Sequence, residues 1–174
     1  MLNELITSVW GATHVAAAVV ALILGPILFL RAKGGASHRQ LGYVYVAAMA
    51  ITCLAGLPMD AFGAVSPFHI LSIVSLLTIA LGAGFIFAAS RLKGREKLRG
   101  GLIAGHMHWM AWSYIGLAAA GLAQIGSRLV SDGVMFGVPG WAAVAAASGL
   151  TIAAGLVLVR RAEPALSARY FPDA

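Results

Sequence analysis

The sequence predicts an all-α polytopic membrane bundle of five transmembrane helices, with the N-terminus outside and the C-terminus inside. Three observations predict it. Of 174 residues, 60% are hydrophobic and only 10% charged, with a mean hydropathy of +0.90, whereas a soluble domain carries roughly 25% charged residues. The charges leave uncharged runs at Leu5–Leu30, Gln40–Met59, Ala61–Ser90, Gly100–Ser127 and Gly133–Val159, 131 residues in all. A helix needs about 20 apolar residues to cross the hydrocarbon core, so five crossings use nearly the whole chain. Eleven of the twelve Lys and Arg fall on one side of such a bundle, which fixes its orientation by the positive-inside bias.

Each span follows in order. The first is expected over residues 8–30, with Pro26 near its inner end as a candidate kink. Glu4 precedes this run, and the basic residues Arg31, Lys33 and Arg39 follow it. That order is the reverse of a cleaved signal peptide, so the run is expected to stay as an anchor. Gly34, Gly35 and residues 37–39 read as a tight cytoplasmic turn into a second span over 41–57. A third span is expected over 67–90, opened by Pro67 in its first turn, where a missing N–H costs nothing. The basic stretch Arg91, Lys93, Arg95, Lys97 and Arg99 follows it. It is read first in a retention and topology role and second as a contact for anionic lipid.

The fourth span, 101–126, opens with Gly101-Leu-Ile-Ala-Gly105, a spacing that lets helix backbones approach closely. The fifth, 139–160, starts at Pro139, is rich in Ala and Gly, and ends at Arg160 and Arg161, with Arg169 beyond. Only Arg128 lies in a loop of the opposite parity. Trp10 and Trp141 mark the outer interface, and Tyr43, Tyr45, Trp109 and Tyr170 the inner one.

These counts exclude a soluble catalytic domain, a nucleic-acid binder and a disordered scaffold, and make the bilayer the first partner. The single Cys53 rules out an intramolecular disulfide. There is no CxxC, HExxH or phosphate-binding glycine motif. A Ser-His-Asp triad would have to recruit Asp60 or Asp132 from loops. No Asp or Glu falls inside an expected span, which argues against proton- or sodium-coupled transport. No repeat is clear enough for an inverted-repeat transporter.

The five histidines carry what chemistry there is. His14 is placed about 9 Å below the outer end of the first span and His69 about 3 Å below that of the third, at 1.5 Å per residue. These two form an expected outer pair across the first and third spans. His38, His106 and His108 form an inner group. Neutral imidazole ligates haem iron or a transition metal without bringing net charge into lipid, and membrane haems are commonly held between histidines of different helices. His106 and His108, two residues apart, point about 200° apart on a helix. His106 is read as facing inward, to act with His38, while Arg39 or Arg99 neutralises a haem propionate. The metal candidates are His14, His69, His106 and His108, with Met107 and Met110 as soft neighbours that more often simply pack. In the plain alternative each histidine hydrogen-bonds a backbone carbonyl or hydroxyl inside the bundle.

The segment Lys33-Gly34, then His38-Arg39-Gln40-Leu41-Gly42-Tyr43-Val44-Tyr45, Pro67-Phe68-His69, and His106-Met107-His108-Trp109-Met110 with Ser113-Tyr114 resembles the bacterial membrane-protein family called domain of unknown function 2306. The resemblance covers roughly residues 11–128. It implies a multi-span inner-membrane protein and carries over His38, Arg39, His69, His106, Trp109 and Met110. The chain has His106-Met107 where the family usually has His-Arg, and Ala111-Trp112 where a basic residue is expected.

Two functional readings follow. The first is a histidine-ligated protein of haem b or a transition metal, serving electron transfer or metal handling. The second is a cofactor-free transport or assembly module in which the histidines bind a small solute or a membrane-protein partner, with a purely structural subunit as its limiting case. Whether it is an enzyme is left open.

Overall fold

A computed structural model describes residues 8–59, 67–129, 134–135 and 138–170. Among them are five helices: α1 (Val9–Leu30), α2 (Ala36–Gly56), α3 (Pro67–Arg91), α4 (Glu96–Leu129) and α5 (Gly140–Tyr170). The loop before α5 carries a two-residue antiparallel ladder, β1 (Val134–Met135) with β2 (Val138–Pro139). The chain divides into two compact units, one up to Ile79 and one from Ala80. The division falls within α3.

In the first unit α1 starts at an N-cap Ser8, whose side chain accepts from the Gly11 amide at 2.9 Å. This satisfies one of the donors a helix start leaves orphaned. The helix runs on through Pro26 to Leu30. The following turn is short because Gly34 takes φ +86°, a conformation that favours glycine. Its side chains fold back on it: Arg31 Nε donates to Ser37 Oγ at 3.2 Å and Lys33 Nζ to the Phe29 carbonyl at 3.3 Å. Residues 37–39 are not in this turn, as expected above, but in the first helical turn of α2, which begins at Ala36 behind an N-cap Gly35.

Helices α1 and α2 pack together. Ala21, Tyr45, Ala48, Met49, Thr52, Cys53, Ala55 and Ile79 are buried in this unit. Tyr45 is thus a core residue, a correction to its place in the inner aromatic belt, whereas Tyr43 and Trp10 are exposed as a belt requires. In the second unit α4 and α5 pack together, with Ser113, Ile115, Leu117, Ala119 and Ala123 buried on α4. Gly155 of α5 is buried against Ile115.

Large apolar side chains stand outward on all five helices, among them Leu30 at 89% and Leu150 at 72% exposure. Such a surface suits hydrocarbon better than water. Among the described residues two helices are long and apolar enough to cross a membrane, Val9–Leu30 and His69–Arg91. At 1.5 Å per residue they reach about 33 and 35 Å, enough for a core of about 30 Å. Only 17% of each apolar window is buried, so neither is the hidden core helix of a soluble protein. The other three helices are diluted by polar residues, including Arg39 and Gln40 in α2 and Glu96, Lys97, Arg99 and Gln124 in α4.

Candidate functional site

Three of the five histidines are held by the backbone of neighbouring helices. His14 Nδ1 lies 2.8 Å from the Thr52 carbonyl, which brings α1 onto α2. His69 Nε2 lies 2.9 Å from the Leu57 carbonyl, at the C-cap of α2. In the second unit His106 Nδ1 lies 2.8 Å from the Gly82 carbonyl, linking α4 to α3. A carbonyl only accepts, so in each case the ring nitrogen facing it carries the hydrogen. In the neutral ring the opposite nitrogen then bears the lone pair: Nε2 in His14 and His106, Nδ1 in His69. His108 is arranged the other way, since the Trp112 indole donates to its Nε2 at 3.0 Å. His108 is exposed and His106 half-buried, the unlike facing that a two-residue spacing on a helix requires.

Two glycines make room for this. A Cβ on Gly56 would stand 3.3 Å from His14 Nδ1 and 3.4 Å from Ser72 Oγ. A Cβ on Gly82 would run into the Met110 side chain and stand 3.4 Å from Trp109 Cβ. One turn toward the C-terminus Gly105 of α4 receives the Phe85 ring, 3.0 Å from where its Cβ would be. His106, Trp109 and Met110 therefore gather on Gly82. In the first unit Ser75 is hydrogen-bonded to Cys53, and Thr52 Oγ1 donates to the Ala48 carbonyl at 2.8 Å. Residues 69, 72 and 75 of α3 thus meet 57, 56 and 53 of α2, an antiparallel register that lines one seam with polar groups.

The remaining candidates lie in helix ends and turns. His38 is half-buried in the first turn of α2. Arg39 is exposed, with Nη1 3.5 Å from the Gly34 carbonyl. Arg99 is exposed and paired with Glu96 at 3.4 Å. His38 belongs to the first unit and His106 to the second. Among the described residues no three His, Cys, Asp or Glu side chains converge as a protein-only metal site requires. Haem sets a lower requirement, because the macrocycle supplies four iron ligands and the chain only the axial ones.

The family described as "Predicted membrane protein (DUF2306)" matches residues 11–160. The chain belongs to this family. The match takes in all five helices, α1 from its third residue and α5 as far as Arg160. No curated protein and no solved structure matches this DUF2306 chain. Of the motif positions, His106, Trp109 and Met110 cluster on Gly82, and His69 caps the end of α2. Sequence reasoning missed Gly56 and Gly82, the two positions that let the rings approach. The signal available was a glycine inside an apolar span, which by itself reads only as close helix contact.

Proposed function

We propose that this DUF2306 protein crosses the bacterial cytoplasmic membrane five times, N-terminus outside, and holds b-type haem through histidine for electron transfer. The observation that supports the haem reading is the shared posture of His14 and His106. Each commits Nδ1–H to a main-chain carbonyl of the next helix and leaves the Nε2 lone pair for a ligand. Ligating histidines almost always donate their other N–H to such a carbonyl or carboxylate, which fixes tautomer and ring angle. Haem, when bound, supplies the one-electron chemistry. The chain orients the imidazoles through those carbonyls. Iron is preferred to a bare transition-metal ion because one or two histidines suffice for it.

A cofactor-free transport or assembly module is the second reading. The same hydrogen bonds favour it, since they satisfy an imidazole in an apolar bundle without any ligand. The two readings part at Nε2. Asn offers an amide N–H near the place of Nδ1 and nothing at Nε2, so His14→Asn and His106→Asn should keep the fold. Protein purified in mild detergent from haem-sufficient cells is expected to show a Soret band that these variants diminish. A colourless wild-type protein would overturn the haem reading and leave the cofactor-free one.

A further inference from the structure

The turn between α3 and α4, with the helix ends that flank it, holds five cations, Arg91, Lys93, Arg95, Lys97 and Arg99, against one acid, Glu96, within nine residues. All six are exposed. Glu96 is engaged with Arg99 at 3.4 Å. The Arg91 guanidinium stands 4.5 Å over the Phe87 ring, a cation–π contact that pins the charge at the end of an apolar span. Lys93, Arg95 and Lys97 have no ion-pair partner among the described residues. Gly94 at φ +75° turns the chain between them. On either side of the turn Phe87 and Leu98 are exposed apolar groups.

The other basic loop is built differently. Arg31 and Lys33 bond to Ser37 and to the Phe29 carbonyl, so each commits one of its donors within the chain. Both loops carry the positive charge that topology needs, yet only the α3–α4 turn keeps three donors-bearing side chains turned outward between apolar flanks. We propose that this turn is a docking surface for anionic phospholipid headgroups. The phosphate oxygens would accept from Lys93, Arg95 and Lys97 while Phe87 and Leu98 enter the acyl region. The proposal rests on α3 crossing the bilayer and not on haem, so a colourless protein leaves it standing.

Near an anionic surface each cation contributes about fivefold in affinity, so losing three should cost about a hundredfold. The test is native mass spectrometry of the delipidated full chain, titrated with phosphatidylglycerol or phosphatidylcholine. Wild type is expected to retain phosphatidylglycerol in preference, and to lose that preference as salt rises. Lys93→Gln/Arg95→Gln/Lys97→Gln should lose it, while Arg31→Gln/Lys33→Gln should keep it. A C-terminal reporter on the triple variant checks that it still inserts as wild type does. Equal retention of the two lipids by wild type, or undiminished phosphatidylglycerol binding by the correctly inserted triple variant, would overturn the proposal.

Discussion

Replacing His14 separates what its two nitrogens do. The Nδ1–H reaches the Thr52 carbonyl at 2.8 Å, and the next residue, Cys53, is 5% exposed and the sole cysteine. Cys53 also meets Ser75 of α3, so a thiol reagent reaches it when the packing around residues 52 and 53 of α2 loosens, and its labelling rate reads the local stability of that packing. Interhelical side-chain hydrogen bonds in membrane proteins are worth about 0.6 kcal/mol on average and about 1.7 at most. With about 1.4 kcal/mol per factor of ten, His14→Phe should accelerate labelling roughly three- to sixteenfold. The lower figure is a floor, because His14 Nδ1 already stands 3.3 Å from where a Cβ on Gly56 would be, which leaves a larger ring little room. His14→Asn should label close to the wild-type rate, and so should Val19→Ala on the exposed face of α1. Labelling of detergent-solubilised protein at one fixed pH provides the assay. If His14→Phe labels like wild type, or His14→Asn as fast as His14→Phe, the hydrogen bond does not hold the seam.

Two further outcomes are expected. In Gly155→Ala the new methyl would lie 2.6 Å from Ile115 Cδ1 and Cγ1; Ile115 is 8% exposed, so overpacking should cost about 1–3 kcal/mol, read by circular dichroism during detergent denaturation. Ile115→Ala should recover part of that loss in the double variant, and a Gly155→Ala protein as stable as wild type would refute the close α4–α5 contact. A topology reporter fused after Ala174 should be active in the cytoplasm, and one inserted at residue 132 in the periplasm; the reverse pair would invert the proposed orientation.

The helices were legible in the sequence, their ends less so. Spans were delimited by charge, and charge does not stop a helix. The expected start of the second span at 41 became Ala36, because Gly35 supplies the N-cap ahead of Arg39. The fourth begins at Glu96 instead of 101, since Glu, Lys, Leu and Arg are all good helix formers. The fifth runs past Arg160 and Arg161 to Tyr170, and starts at Gly140 with Pro139 just outside. Tyr45 shows a second limit. Composition places aromatic residues at an interface, but only the neighbouring helix decides which of Tyr43 and Tyr45 faces it. At the candidate site, spacing showed that His106 and His108 face different ways. The acceptors of His14, His69 and His106 were illegible because main-chain carbonyls leave no residue-type signal. Residues 60–66 and the side chains of Trp141 and Tyr170 lie outside the described residues.

That the acceptors are main-chain has a consequence for how this protein tolerates change. A ring held by another side chain can be released by one substitution at the partner, but no substitution at residue 52 or 57 deletes a carbonyl. Random mutation can therefore dislodge these imidazoles chiefly by altering helix spacing. The vulnerable positions are then Gly56 and Gly82, where any side chain fills the space the rings or their neighbours occupy. In a saturation library scored for correct insertion, variants at the half-buried Leu57 should be forgiven for polarity and volume more readily than any at the two glycines.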